Sequence, residues 1–213
     1  TRRQRQMCIR DRLSAQNINI GLAPCSAMRV NFVGELGWEL HHPIEYQNHI
    51  FDQLMEAGKE FGLKPYGIRA MNSLRVEKSY KLVGTELSIE YSPYESGLDR
   101  FVHPNKGDFI GRAALDKWRA KGFSNKLVTM EIHGVTDADV LGNNPIYDNG
   151  SVVGRATSGD FGFRVNKSIA LGMVKPELAK VGQKLKIDIL GKMHEASIVE
   201  ESPYDSENKL LRA

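Results

Sequence analysis

The sequence predicts an α+β protein whose C-terminal part is a small β-barrel. In the first half, two stretches carry apolar residues every three to four positions, which is the spacing of a helix with one buried stripe. From residue 124 onward, short apolar strands alternate with turn residues, at a spacing typical of a closed or nearly closed barrel. We therefore place a domain boundary near residue 123 of the 213-residue chain.

Residues 1–14 differ from the rest of the chain in charge. The five arginines and one aspartate of residues 1–12 leave this segment at +4, whereas the whole chain carries +3, so the remainder is near −1. We expect residues 1–14 to be a non-native or artefactual leader that takes no part in the fold. Because the remainder has no basic stripe with interleaved aromatic residues, nucleic acid is not an expected partner.

Composition narrows the class of protein further. Apolar residues make up 41% and charged residues 26%, which is ordinary for a globular domain. No apolar run approaches the roughly 20 residues that a membrane-spanning helix needs, so a membrane is not an expected partner. The two cysteines, Cys8 and Cys25, form neither a disulfide framework nor a metal-ligand spacing. We expect no metal site, and a reducing compartment, either the bacterial cytoplasm or the mitochondrial matrix.

The stretch Phe32–His42 is the clearest candidate for ligand binding. We predict strand at Val30, Phe32 and Leu36, with a bend at the two glycines, which adopt backbone angles closed to other residues. A second extended piece follows, in which Trp38 and Leu40 face the core and Glu39 faces the other way. Such a carboxylate can accept two adjacent N–H donors of a flat ligand. The alternative is an ordinary β-hairpin with solvated carboxylates.

Two helices are predicted after this stretch. The first begins after Pro43 and ends near Gly58, and the second runs from about Tyr66 to Tyr80. Arg69 falls near the N-terminal turn of the second helix, where the helix dipole disfavours a cation unless an anion offsets it. The alternative is a surface arginine that pairs with water or with Glu60.

The remaining elements lead into the predicted barrel. We predict a strand at 101–103 and then a helix that ends near Gly122. Asn149-Gly150, between two apolar pairs, is the strongest hairpin signal in the chain. The other predicted barrel strands cover residues 127–132, 169–174, 185–190 and 196–199.

Six stretches, taken in order, resemble a known family. They are Gly34–Leu40, Ala70–Lys78, Ser92–Leu98, Asp108–Leu115, Ser158–Gly162 and Lys167–Gly172. The series resembles the C-terminal folate-binding portion of the sarcosine and dimethylglycine dehydrogenases. It is more distantly similar to the glycine cleavage system T-protein, an aminomethyltransferase. Each motif alone is weak, but the ordered series spans roughly residues 28–212.

The resemblance implies a fold and a set of site residues. The fold is a partly ferredoxin-like, folate-binding α+β body over residues 15–123, followed by a β-barrel over residues 124–213. The family's pterin-binding glutamate falls on Glu39, its folate-contacting arginine on Arg69, and an aromatic residue of the folate pocket on Phe32. The family's acid–base aspartate has no matching segment here, and neither does a flavin fingerprint. We therefore expect a C-terminal fragment with no catalytic residue of its own, inactive alone.

The resemblance also implies a reaction and its partners. FAD in an upstream oxidoreductase domain would oxidise sarcosine or dimethylglycine. Tetrahydrofolate, bound by this chain, would accept the one-carbon unit and become 5,10-methylenetetrahydrofolate. Two alternatives remain: a glycine cleavage aminomethyltransferase that works with a lipoyl carrier, and a non-catalytic folate-binding or interaction module.

Overall fold

The computed structural model describes residues 13–212, so the predicted leader lies outside the described residues except for its last two positions. In chain order the strands and α-helices are β1 (Ala15–Ile20), β2 (Ala23–Met28), β3 (Glu39–His41), α1 (Gln47–Gly58), α2 (Ile68–Val76), α3 (Arg112–Lys121), β4 (Lys126–Ile132), β5 (Pro145–Asp148), β6 (Ser151–Gly162), β7 (Lys167–Val174), β8 (Lys184–Ile189), β9 (Lys192–Val199) and α4 (Lys209–Arg212). Short 3-10 turns occur at Ile44–Tyr46, Lys59–Phe61, Asp99–Phe101, Pro104–Lys106 and Pro176–Leu178. Across residues 13–212, no helix is both long and apolar enough to cross a membrane.

The described chain divides into two units, and the division falls inside α2. One unit contains residues 13–71 with residues 207–212, and the other contains residues 72–206. Helices and strands are mixed, and the C-terminal part is a closed barrel, so the predicted fold class is confirmed. The domain boundary near residue 123 stays a prediction.

The first unit contains a three-stranded antiparallel sheet in the order β1-β2-β3. Ala23, Cys25 and Ala27 alternate with more exposed neighbours along β2, which gives the sheet one buried face. The register of β2 with β3 begins at the pair Met28 and Glu39. Residues 29–38 connect these two strands, and we call this connection the 29–38 loop.

The strand predicted at Val30, Phe32 and Leu36 is wrong. The 29–38 loop is a series of bends, and only Glu39–His41 pairs as a strand. Asn31 Oδ1 accepts the backbone N–H of Gly34 at 2.9 Å, and Gly34 has a φ of +73°. A side chain that bonds its own backbone three residues on competes with strand pairing, and this overrides the apolar alternation.

Two other predicted elements differ in type or length. The strand predicted at 101–103 is wrong, because the 3-10 turn Asp99–Phe101 occupies its start. Helix α2 ends at Val76 rather than near Tyr80. Beyond Val76 the chain turns, and Ser79 adopts a φ of +54°, which a right-handed helix does not allow.

The barrel closes in the strand order β4-β7-β6-β5-β8-β9, with every pair antiparallel. Asn149 and Gly150 both have positive φ, as the two-residue turn between β5 and β6 requires. Gly154 faces a close strand neighbour, since a Cβ there would lie 2.2 Å from the carbonyl oxygen of Met173. Inward-facing aliphatic residues of all six strands fill the barrel, including Val128, Ile146, Val153, Ala170, Ile187 and Ile198.

Candidate functional site

Side chains at the start of the 29–38 loop hold its end. Arg29 Nη1 donates to the carbonyl oxygen of Gly37 at 3.0 Å. The guanidinium carbon of Arg29 also lies 5.4 Å from the centroid of the Trp38 ring, within cation–π range. These contacts join the first residue of the loop to its last two and set the point where β3 begins.

Glu39 is the first residue of β3, and its carboxylate is accessible. Its side chain is 47% exposed, and Oε2 lies 3.2 Å from Nε2 of His41. A carboxylate offers about four acceptor positions, so one such contact leaves capacity for further N–H donors. Trp38, which we expected in the core, is instead 44% exposed because it precedes β3 and lies against Arg29.

The other two predicted site residues lie on separate pieces of chain in the same unit. Phe32 is half-buried within the 29–38 loop, and Arg69 is exposed in the first turn of α2. A cavity of this unit is lined by residues of β1 and β2 and by Pro43, and none of Phe32, Glu39 and Arg69 lines it. Their joint contact with one ligand stays a prediction.

Sequence reasoning did not single out Arg29, although a signal was present. Ala23, Cys25 and Ala27 are the buried positions of β2, and Arg29 continues this period of two. A charged residue on the buried register of a strand is uncommon and needs a specific partner. The partners here are a backbone carbonyl and an aromatic ring.

A second set of polar side chains is buried in the 72–206 unit. Arg75 and Glu86 are 2% and 0% exposed, and Arg75 Nη1 lies 3.5 Å from Glu86 Oε2. Glu86 Oε2 also accepts the N–H of Leu82 at 2.8 Å and the hydroxyl of Thr85 at 2.7 Å, and its other oxygen accepts from Ser158. This carboxylate is therefore saturated by donors of its own unit.

Burial and hydrogen bonding act in opposite directions on this pair. Burial alone would raise the pKa of Glu86, but hydrogen bonds from Ser158, Leu82 and Thr85 outweigh it and hold the pKa below its ordinary value. Burial lowers the pKa of Arg75, and the charges of Glu86 and Asp160 oppose that effect. The site therefore favours an ionised carboxylate beside the guanidinium.

The turn after α2 is attached to the barrel by further charged groups. Glu77 is fully buried, and its carboxylate accepts from the Arg164 side chain and, at 2.6 Å, from the Arg164 backbone N–H. Lys78 Nζ donates to the carbonyl oxygens of Tyr204 and Asp205 at 3.1 and 2.7 Å. These groups have structural partners within the 72–206 unit.

The Asp160-Phe161-Gly162 motif has a structural place in the same unit. Asn72 Nδ2 donates to Asp160 Oδ2 at 2.7 Å, and the Ser73 hydroxyl donates to the Phe161 carbonyl oxygen at 2.6 Å. A Cβ on Gly162 would lie 2.8 Å from Cγ of Glu77. The motif thus fixes the end of β6 against the second half of α2.

Among residues 13–212, no group of three or more His, Cys, Asp or Glu side chains is placed to hold a metal ion.

Comparison with known protein families identifies the family to which this chain belongs. Residues 11–106 match the GCVT N-terminal domain, and residues 125–205 match the glycine cleavage T-protein C-terminal barrel domain. The two matches together cover most of the chain, and the second coincides with the closed barrel. The chain belongs to the glycine cleavage T-protein family.

Within this family, the chain is homologous to the aminomethyltransferase region of dimethylglycine dehydrogenase. It is 40% identical to the mitochondrial dimethylglycine dehydrogenase of Homo sapiens over 190 residues, which is 89% of this chain and 22% of that protein. It is 35% identical to an aminomethyltransferase of Desulfitobacterium hafniense over 82% of this chain and 47% of that protein. The chain thus spans about a fifth of one relative and about half of the other.

A solved structure supports the fold. The aminomethyltransferase T of the Bartonella henselae glycine cleavage system superimposes with a TM-score of 0.76 at 24% identity. The match covers 85% of this chain and 50% of that one. At this level of identity the likeness concerns the architecture alone.

Proposed function

We propose that this chain is the tetrahydrofolate-binding part of an FAD-dependent dehydrogenase that demethylates dimethylglycine or sarcosine. In this proposal, tetrahydrofolate accepts the released one-carbon unit and becomes 5,10-methylenetetrahydrofolate. The observation that carries the proposal is the 40% identity to human dimethylglycine dehydrogenase over 89% of this chain. That relative is named as mitochondrial, and the proposed compartment is accordingly the mitochondrial matrix or, in a bacterium, the cytoplasm.

Glu39 is the proposed anchor for the pterin ring. Its carboxylate is 47% exposed and retains acceptor capacity beyond its contact with His41. The 2-amino group and the ring N–H of a pterin are adjacent donors in one plane, so two carboxylate oxygens can accept both. The accessibility of Glu39 and the fixed start of β3 support this role.

Phe32 and Arg69 are the proposed contacts for the remainder of the folate. Phe32 offers a ring face for stacking but no hydroxyl group, so its contribution is apolar. Arg69 is exposed in the first turn of α2, and a guanidinium can donate two parallel hydrogen bonds to a carboxylate. The anionic glutamate tail of a folate is therefore its proposed partner.

The chemistry assigned to this chain is binding and orientation. The flavin supplies the oxidation of the amine, and we assign the flavin and the acid–base aspartate to an upstream part of the protein. A nitrogen of tetrahydrofolate is the nucleophile toward the one-carbon unit. By holding the folate in one orientation and excluding water, the protein raises the effective concentration of that nucleophile. The chain by itself is therefore expected to be inactive.

A glycine cleavage aminomethyltransferase is the second candidate function. The 35% identity to the Desulfitobacterium protein favours it. The genomic sequence upstream of residue 15 separates the two candidates. A flavin-binding domain in frame supports a dehydrogenase, and a short separate reading frame supports an aminomethyltransferase.

The test of the folate site is Glu39→Gln in the full-length protein. Loss of a charge-assisted pair should weaken tetrahydrofolate binding by about 2 kcal/mol, or roughly thirty-fold in Kd. Amine oxidation should proceed at the normal rate and yield free formaldehyde in place of methylenetetrahydrofolate. Titration calorimetry measures the affinity for tetrahydrofolate, and product analysis measures the ratio of formaldehyde to 5,10-methylenetetrahydrofolate.

Glu45→Gln is the matched control, because Glu45 is an exposed glutamate of the same unit outside the 29–38 loop. It should bind tetrahydrofolate like the wild type. Equal affinities for Glu39→Gln and the wild type would refute the proposed site.

A further inference from the structure

We infer that Arg29 is a positioning residue that fixes the direction of Glu39, an inference that rests on the proposed folate site. Arg29 is 5% exposed, and Nε has no hydrogen-bond partner within residues 13–212. No carboxylate of the described residues pairs with its guanidinium. Burying a cation without a paired anion is unfavourable, so the burial of Arg29 needs an explanation.

The geometry gives that explanation. The β2–β3 register begins at Met28 and Glu39, so Arg29 and Trp38 lie directly beyond the last paired positions, at the two ends of the loop. There Arg29 donates to the carbonyl oxygen of Gly37 at 3.0 Å, and its guanidinium carbon lies over the Trp38 ring, 5.4 Å from the centroid. These are the two residues directly before Glu39. Fixing both of them fixes the direction in which the Glu39 side chain leaves the strand.

The packing of Gly37 is an independent sign that this turn is tightly specified. A Cβ at this position would lie 3.0 Å from Cβ of Asn31 and 3.1 Å from the carbonyl oxygen of Val30. The end of the loop therefore lies directly against its beginning. Asn31 also closes the middle of the loop through its bond to Gly34. Arg29 thus makes its contacts within a tightly packed, preorganised loop.

Lysine cannot replace arginine in this arrangement. The guanidinium donates to Gly37 and at the same time lies over the Trp38 ring, and its delocalised charge suits both contacts. A lysine ammonium is a compact point charge that cannot provide both contacts with one geometry. Arg29→Lys should keep the charge and lose the orientation of Glu39.

The experiment uses the intact dehydrogenase and measures the Kd of tetrahydrofolate by calorimetry. We expect Arg29→Lys to raise this Kd about tenfold at an unchanged rate of amine oxidation and an unchanged unfolding midpoint. Arg112→Lys is the matched control, because Arg112 Nη1 also donates to a glycine carbonyl oxygen, that of Gly107, at 3.0 Å. The control should bind tetrahydrofolate like the wild type.

A double variant separates positioning from general support of the fold. If Arg29 acts through Glu39, then Arg29→Lys has almost no further effect on Kd in a Glu39→Gln background. A role in the fold alone would give independent, additive losses. Trp38→Leu provides a second route, because Trp38 is 44% exposed and its loss removes the ring below the guanidinium without opening a core. It should raise the Kd severalfold even if Arg29→Lys does not fold.

The outcomes distinguish the two proposals. An unaltered Kd for Glu39→Gln overturns the folate site itself. The role of Arg29 alone is overturned if Glu39→Gln raises the Kd but Trp38→Leu does not. Where Arg29→Lys folds, its Kd must then also equal that of the wild type. Additive losses in the double variant overturn it as well.

Discussion

Glu86→Gln should strongly destabilise the 72–206 unit, because it removes the negative charge beside a buried arginine. Glu86 is fully buried, and its Oε2 lies 3.5 Å from Arg75 Nη1. Removing one partner of a buried pair costs about 3–5 kcal/mol, and Arg75 would lose the stronger of the two carboxylate charges, those of Glu86 and Asp160, that oppose its burial. Glutamine would also place an amide N–H2 among the donors of Leu82, Thr85 and Ser158, so the loss should not fall below that range.

Urea unfolding measures this loss when the signal comes from one unit. The chain has two tryptophans, and Trp118 lies on α3 within residues 72–206. In a Trp38→Phe background, tryptophan fluorescence therefore reports on that unit alone. With a urea m-value of about 2 kcal/mol/M, a loss of about 3 kcal/mol lowers the midpoint by about 1.5 M.

The control is an exposed ion pair of the same unit. Lys186 Nζ lies 3.1 Å from Glu195 Oε1, with both side chains more than half exposed, and such a pair contributes about 0–1 kcal/mol. Glu195→Gln should therefore shift the midpoint only slightly. Equal shifts for Glu86→Gln and Glu195→Gln would refute the reasoning. The apolar double variant Arg75→Met, Glu86→Leu should be closer to the wild type than Glu86→Gln, because neither charge is then left alone.

Two further predictions concern stability. Burial would raise the pKa of Glu95, but the backbone N–H and hydroxyl of Ser92 and two further backbone N–H groups outweigh it and lower that pKa. The stability that ionised Glu95 contributes is therefore fully present above its unfolded pKa and is lost as the pH falls through its folded pKa. The free energy of unfolding should accordingly change less between pH 7 and pH 4 in Glu95→Gln than in the wild type. Gly37→Ala should cost about 1–3 kcal/mol by crowding Asn31, whereas Gly67→Ala, with open space around its Cβ, should change stability by less than about 0.5 kcal/mol. Equal pH dependence of Glu95→Gln and wild type, or equal thermal midpoints for the two glycine variants, would contradict these expectations.

The barrel could be predicted from the sequence because its signals are local. Asn149-Gly150 specifies its turn through two positive φ values, and both residues adopt them. Buried positions alternate with more exposed ones along β8 and along the second half of β9, as the sequence pattern predicts. Closure then follows from pairing each strand with its neighbours.

The 29–38 loop and the buried charges could not be predicted in the same way. The loop contains an apolar alternation typical of a strand, but the side chains of Asn31 and Arg29 bond its backbone and bend it. From the sequence, Glu86 would be expected at the surface, because glutamate is rarely buried without partners. One of its partners, Ser158, lies 72 positions further along the chain, and such a pairing leaves no local pattern.

Four glutamates of the chain differ in their remaining capacity to accept hydrogen bonds. Glu77, Glu86 and Glu95 are at most 2% exposed, and each accepts several donors from its own unit. A further ligand would have to displace those donors, which costs more than it returns because each would be left buried and unpaired. Glu39 has one contact, with His41 at 3.2 Å, and is 47% exposed. A ligand with two adjacent N–H groups would therefore displace no buried donor at Glu39, and this difference favours Glu39 over the three buried glutamates as the proposed ligand carboxylate.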